Sequence, residues 1–252
     1  MEKLQAIIFD MDGTIAETER DGHRVAFNRA FAAAGLDWHW SPELYGELLH
    51  VSGGKERMRH FCEHYQPATV LAGDPQEAIF RLHAAKNQHF RQILQSDAMP
   101  ARPGILRLLK AARMAGIPLA VATTSALDSA IALLETALIP LGTDWFAAIA
   151  AGDIVPIKKP APDIYQYVLR ELALDPSCCI AIEDTDNGLQ AATRAGIPTV
   201  ITTNAYTQHQ DFTGAALVID SLGEPDEQPF RVLQGDALGK TYFDLELARS
   251  LL

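Results

Sequence analysis

Two carboxylates near the start of the chain, Asp10 and Asp12, stand one residue apart between the apolar run Ala6-Ile7-Ile8-Phe9 and Gly13-Thr14. Such a run reads as a buried strand of an α/β sheet. Both acids then emerge at its carboxyl end, the edge where open α/β sheets bind ligands. Gly13 permits a sharp departure of the backbone there, and Thr14 offers a hydroxyl to an anion. Two close carboxylates repel each other. A divalent cation removes that difficulty, and oxygen-only ligands favour a hard ion such as Mg²⁺. If one carboxylate attacks and the other manages a proton, the pair is a nucleophile with a general acid/base. An Asp-x-Asp pair also begins many ordinary turns, so the chemistry needs partners elsewhere in the chain.

Three further polar groups follow apolar runs or tight turns. Thr123-Thr124-Ser125 ends the run 117–122 and starts a helical pattern. Hydroxyls and free backbone N–H groups at a helix start suit a phosphate, and equally suit plain helix capping. In Lys158-Lys159-Pro160-Ala161-Pro162-Asp163, two prolines and an N-capping Asp163 fix a rigid turn ahead of a helix. A lysine held there could neutralise both a nucleophilic carboxylate and a phosphate, whereas an exposed loop lysine is only solvated. Glu183-Asp184 closes the run Ile180-Ala181-Ile182 and precedes Thr185-Asp186-Asn187-Gly188. Asp186 fits an acid at a helix N-terminus, favoured by the dipole.

The elements that must position these residues are legible from periodicity. Helical spacing over 24–34 ends at Gly35, a usual helix terminator. From there to about residue 97 the patterns are helical, at 44–49, 55–65 and 79–94, with no convincing strand. From Arg102-Pro103-Gly104 onward, strand and helix alternate: helix 105–115, strand 117–124, helix 126–138, strand 146–151, helix 163–172, strand 178–184, helix 189–195 and strand 199–203. This predicts a doubly wound α/β core whose first strand is separated from the others by a helical insertion. The expected organisation is residues 1–15 and 100–252 as core and 16–99 as an inserted helical domain. Residues 216–220 read as a last edge strand, 223–229 as a loop and 243–252 as a terminal helix.

The chain has 252 residues, enough for a sizeable core. Lys and Arg number 21 against 32 acids, a net charge of −11 that argues against nucleic acid or an anionic membrane as main partner. A phosphorylated ligand would therefore need local positive charge. Cys62, Cys178 and Cys179 have no metal-like spacing and read as core cysteines of a reduced compartment. The first residues lead straight into a strand, and no apolar run approaches a membrane span. The expectation is a cytoplasmic monomer, or a stromal one if encoded in a plastid.

The string Phe9-Asp10-Met11-Asp12-Gly13-Thr14 resembles the first motif of the haloacid dehalogenase-like (HAD) superfamily, most of whose members are phosphatases. Thr123, Lys159-Pro160-Ala161-Pro162-Asp163 and Glu183-Asp184 are similar to its second, third and fourth motifs, and the likeness covers residues 1–205. It implies an HAD-like Rossmannoid doubly wound parallel sheet with an inserted helical cap. It further implies Asp10 as nucleophile, Asp12 as acid/base, Thr123 on the transferring phosphoryl oxygen and Lys159, rather than Lys158, beside them. Mg²⁺ would be held by the Asp10 carboxylate, the Asp12 backbone carbonyl and Asp184, with Glu183 a ligand or a neighbour of one. The superfamily more often has Ser where Thr185 stands.

The insertion would then act as a lid that excludes water and reads the substrate. Glu17 and Glu19 lie at its hinge. His23 follows one turn later, as a substrate contact or a partly buried helix histidine. Ser52-Gly53-Gly54-Lys55-Glu56-Arg57 combines exposed backbone N–H groups with two cations, and Lys86 lies on a helix that could face the cleft. Ala16-Glu17-Thr18-Glu19, Gly53–Arg57, Ala122–Ser125 and Ala151–Pro160 together resemble the CbbY group, sugar-phosphate phosphatases associated with carbon fixation that degrade the Rubisco inhibitor xylulose 1,5-bisphosphate. That likeness makes Glu19, Ser52, Gly53, Gly54, Lys55, Arg57 and Lys86 candidate substrate contacts, with His23, Thr124 and Ser125 beside them. A bisphosphate would give the cap cations a reason to exist. A β-phosphoglucomutase-like phosphoryl transferase and a catalytically silent sugar-phosphate-binding protein are the alternatives. Asp12 argues against a true dehalogenase, a branch that usually lacks the second acid.

Overall fold

The computed structural model describes residues 4–67, 71, 73–96, 99–138 and 142–252. Residue 97, where the helical run is expected to end, lies outside them. The first strand, β1 (Ala6–Phe9), is followed by a π-helical turn at Glu19–His23 and four helices: α1 (Arg24–Ala33), α2 (Pro42–Leu48), α3 (Gly54–Tyr65) and α4 (Pro75–Ser96). Then come α5 (Ile105–Met114), β2 (Leu119–Thr123), α6 (Leu127–Ala137), β3 (Ala148–Ala151), α7 (Asp163–Leu172), β4 (Cys179–Glu183), α8 (Asp186–Arg194) and β5 (Thr199–Thr202). The chain closes with β6 (Leu217–Ile219), β7 (Val232–Gln234) and α9 (Leu245–Ser250).

The sheet runs β3-β2-β1-β4-β5-β6-β7, parallel except for antiparallel β7. β1 is flanked by β2 and β4, so the chain leaves it to opposite sides, the arrangement that opens a crevice at the carboxyl edge. The strands alternate cleanly about the sheet. Ile7, Phe9, Val121, Ile180 and Ile182 face one apolar layer with α5, α6 and α9, while Ala6, Ile8, Ala120, Ala122 and Ala181 face the other, with α7 and α8. Small residues on the second face let its helices approach closely.

A third apolar centre lies among α1 to α4 and is largely aromatic: Phe27, Phe31, Trp38, Trp40, Tyr45 and Phe61. Phe27, Trp40 and Phe31 make tilted and edge-on ring contacts at 4.7 and 4.9 Å, a favoured geometry. The ends of α1 and α4 nearest the sheet, with Ala26, Phe90, Ile93 and Leu94, belong instead to the layer above β1. The helical part is therefore rooted in the core and carries its own hydrophobic centre.

Both crossings between the two parts run side by side, because Ala16 bridges Ala101 and the Arg102 N–H donates to the Ile15 carbonyl. Arg102 is buried at this point. Its guanidinium donates to the carbonyls of Gly13, Thr202, Thr203 and Asp220, and its Nε pairs with Glu17 at 2.9 Å. One side chain thus ties the loops after β1, β5 and β6 to the hinge, using the rigid fork that lysine lacks.

Several boundaries differ from the sequence reading. β7 was not foreseen: all three of its residues are exposed, so it carries no period-two pattern, and it rather than β6 forms the sheet edge. α8 begins three residues early because the Thr185 hydroxyl accepts from the Gly188 N–H, a capping contact. Asp163 is the first residue of α7 and not its cap, which is Pro162. Ser125 likewise caps nothing, since α6 starts after Ala126. All three cysteines are free. No helix among the described residues is long and apolar enough to cross a membrane.

The Arg102 network gives a direct test. Arg102→Lys keeps the charge but strands several carbonyl contacts, and should cost about 3 kcal/mol or more in urea unfolding. Glu17→Gln, at the exposed end of the same network, should cost under about 1 kcal/mol.

Candidate active site

The register of the sheet brings the candidate residues together. Phe9 pairs with Val121 on one side and Ile182 on the other, so Asp10 comes level with Ala122 and Glu183. The Asp10 N–H continues the ladder to the Ile182 carbonyl at 2.9 Å. Gly13 then turns away with φ +87°, where a Cβ would lie 2.2 Å from an Asp184 carboxylate oxygen. Only glycine lets the two acidic loops approach so closely.

Lys159 is the centre of this arrangement. Its ammonium lies 2.6 Å from Asp10 Oδ1 and 2.6 Å from Glu183 Oε1, and donates to the Ala122 carbonyl at 2.8 Å. Glu183 is wholly buried and also accepts from the Tyr165 hydroxyl at 2.5 Å. A Cβ on Gly188 would collide with the Glu183 carboxylate, so the glycine of the following helix makes room for it. Glu183 therefore spends one oxygen, Oε1, on both Lys159 and Tyr165. Lys158 points elsewhere, to Asp153 at 2.9 Å.

Asp10, Glu183 and Asp184 bring carboxylate oxygens within 4.8 Å of one another. Asp184 is steadied by Asn204 at 2.7 Å and by the Thr14 hydroxyl at 3.3 Å. Three buried acids face one ammonium. Burial pushes the Asp10 and Asp184 carboxyls up; Lys159 opposes this at Asp10, while Glu183 and the two acids' own proximity add to it. Surplus buried carboxylates with oxygen-only donors are a set that could hold a hard cation.

Asp12 has a different environment. Oδ1 accepts from the Thr18 hydroxyl at 2.6 Å and from His23 Nε2 at 2.7 Å, and Oδ2 accepts from Ser125 at 2.5 Å. Burial alone would raise this carboxyl, but His23, Ser125 and Thr18 together hold it well below the usual carboxylate range. His23 in turn meets the Lys86 ammonium at Nδ1, 2.8 Å away. Since an ammonium only donates, the His23 proton belongs on Nε2 and points at Asp12. Burial pulls Lys86 down to about 8, against the pull of Asp12 and Glu19. The result is a continuous chain, Asp12–His23–Lys86, from the core acid to helix α4.

One cavity is lined by Asp10, Asp12, Thr123, Lys159 and Asp184 from the core and by Glu19, His23, Ser52, Gly53, Gly54, Arg57 and Lys86 from the helical part, with Thr124 and Ser125 between. Arg57 is buried there and donates to the Tyr45 hydroxyl at 2.9 Å, which donates to Glu19 at 2.5 Å. Lys55 departs from expectation. Its ammonium pairs with Asp153 of the core at 2.5 Å and lines an adjoining cavity, so it joins the two parts instead of facing Asp10. Ser125 lines the cavity with its hydroxyl donating to Asp12. Asp186 opens α8 with its N–H donating to Gln210, as a helix-start acid.

Tyr165, Asn204, Thr18, Asp153 and His83 were not foreseen. His83 also lines the cavity, and burial, with Lys86 and Lys55 nearby, pulls its imidazole down to about 3. It is therefore neutral at ordinary pH. Each of these reaches the site from a different element; Thr18 between Glu17 and Glu19, Asp153 within 151–160 and His83 one turn before Lys86 had marked neighbours, whereas Tyr165 and Asn204 had none.

Over 227 residues, 89% of this chain and 88% of its relative, the sequence is 47% identical to the protein CbbY (plasmid) of Cupriavidus necator. A crystal structure of a CbbY mutant from Rhodobacter sphaeroides, in complex with xylulose 1,5-bisphosphate, superposes with a TM-score of 0.83 at 43% identity, covering 88% of this chain and 96% of that one. A β-phosphoglucomutase from Clostridium difficile gives 0.70 at 25% identity, over 86% and 91%. The haloacid dehalogenase-like hydrolase family matches residues 4–196. Because that span takes in all four strand-end motifs and the residues that Lys159 draws together, the chain belongs to the haloacid dehalogenase-like hydrolases.

Proposed function

We propose that this protein is a Mg²⁺-dependent sugar-phosphate phosphatase that converts xylulose 1,5-bisphosphate to xylulose 5-phosphate. The observation that carries the reading is the placement of Asp10, against Lys159 and beside Asp184, in a cavity that Asp12 also faces. The substrate rests on the likeness to CbbY, whose structure in Rhodobacter sphaeroides holds that bisphosphate. At 43–47% identity this likeness is much stronger than the 25% shared with the mutase, which favours hydrolysis over transfer to a second sugar position.

Asp10 attacks phosphorus in line; a new bond from its carboxylate oxygen to phosphorus, an acyl phosphate, forms as the bond to the sugar oxygen breaks. Asp12 gives its proton to that leaving oxygen, then recovers one from the water that attacks the aspartyl-phosphate and frees Asp10. Hydrogen bonds from His23, Ser125 and Thr18 favour the ionised Asp12 of the second half-reaction. A phosphate dianion beside it favours the protonated form of the first. Lys159 and Thr123 orient the phosphoryl group. Asp10, Asp184 and the backbone of residue 12 would hold Mg²⁺, whose charge offsets that of the phosphoryl oxygens. Residues 16–99 serve as the cap and residues 1–15 and 100–252 as the core. Arg57 and Lys86 are cap groups for the phosphate that is kept, and the Lys55–Asp153 pair secures the closed cap.

Phosphate release should be measured over pentose and hexose mono- and bisphosphates with Mg²⁺. The expected profile peaks at xylulose 1,5-bisphosphate and is absent with ribulose 1,5-bisphosphate; a product with the phosphate moved to another carbon would instead identify a mutase. Asp10→Asn should lower kcat by more than about a thousandfold with unchanged thermal unfolding. Asp153→Asn frees Lys55 without touching the acids. It should raise KM by about tenfold, roughly 1.4 kcal/mol of lost closure, while stability changes little.

A further inference from the structure

Three of the eight histidines meet on one side of α3, and none of them lines the central cavity. His60 and His64 are one helical turn apart on α3, their rings stacked with centroids 4.0 Å apart and planes at 23°. His50, in the loop after α2, sets its ring edge-on to His60 at 4.9 Å and 85°. His50 and His64 are exposed and His60 is half-buried.

The hydrogen bonds give this cluster a direction. His64 Nδ1 lies 3.0 Å from the His60 carbonyl, and His50 Nδ1 lies 2.5 Å from the Glu47 carbonyl. A carbonyl only accepts, so each Nδ1 carries the proton and each Nε2 keeps a free lone pair. Metal-binding histidines are commonly oriented in this way, with the far nitrogen donating to a backbone carbonyl. The i,i+4 spacing on one helix face also matches helical metal sites.

We propose that His50, His60 and His64 form a surface site for a borderline divalent transition cation, of the zinc, nickel or copper class that prefers imidazole. The site is separate from the carboxylate centre, where Asp10, Glu183 and Asp184 already converge. The three rings are in contact without sharing one focus. A bound ion would draw the His60 ring out of the stack by side-chain rotation, while the backbone hydrogen bonds of His50 and His64 keep their Nε2 atoms free, with water completing the coordination. The same loop touches the core, because the Asn187 side chain donates to the His50 carbonyl at 2.8 Å and to Ser52 at 3.3 Å. A cation on His50 would therefore brace the loop that leads to Gly53 and Gly54 against α3.

Ni²⁺ is the probe, titrated calorimetrically into the full chain with excess Mg²⁺ present to occupy the carboxylate centre. One equivalent should bind saturably. His60→Gln/His64→Gln should abolish that binding, and His50→Gln should weaken it by about 10- to 100-fold, all with unchanged thermal unfolding. Broadening of the backbone amide signals around 50, 60 and 64 by the paramagnetic ion should locate it. The assignment is overturned if wild type binds nothing saturably, or if the double variant binds as wild type does. Unaltered affinity in His50→Gln would overturn the three-histidine site.

Discussion

Lys159 is the group on which the rest of the site depends. It places a buried positive charge between Asp10, at the end of β1, and Glu183, at the end of β4. Without it, two adjacent central strands would end in uncompensated buried carboxylates, each costing several kcal/mol to keep out of water. The loop that carries it lies between β3 and α7, outside both strands it joins. Tyr165, one turn into α7, closes the arrangement by donating to Glu183. A surplus of buried carboxylate charge remains, chiefly at Asp184, in a cluster that could hold a cation.

A second chain of contacts binds the chemistry to the cap. Asp12 belongs to the core loop, yet its oxygens are held by Thr18 and His23 from the hinge and by Ser125 from the loop after β2. Lys86 on α4 completes the line through His23, and Phe90 stacks on the same imidazole at 3.9 Å. The hydrogen bonds from Thr18 and His23 therefore make the environment of a core carboxylate depend on the helical part, while that from Ser125 comes from the core itself.

The parts of this site that follow a strand were legible because an apolar run ending in acids or hydroxyls has one good explanation in an α/β sheet. Asp10, Asp12, Glu183-Asp184 and the group Thr123-Thr124-Ser125 stood out in this way, whereas the resemblance to the haloacid dehalogenase-like motifs singled out Thr123 and Lys159. Arg102 and Asn204 did not stand out. Each acts by reaching across to a loop far away in sequence, and nothing local distinguishes Arg102 from the exposed arginines of a charged chain. Lys55 shows the converse: its Gly-Gly-Lys context suggested a ligand contact, while the nearest opposite charge, Asp153, decided its direction. β7 escaped because three exposed residues carry no pattern at all.

The cap cations explain how a chain of net charge −11 can prepare a cleft for phosphate. Each is buried with a partner: Arg57 with the Tyr45 hydroxyl and, through it, Glu19, and Lys86 with His23, while Lys55 is paired with Asp153 beside the cleft. None is left as an unpaired buried charge, which would be strongly destabilising. Arg57 and Lys86 line the same cavity as Lys159, so cations of the helical part and of the core face one space in spite of the net charge of the chain.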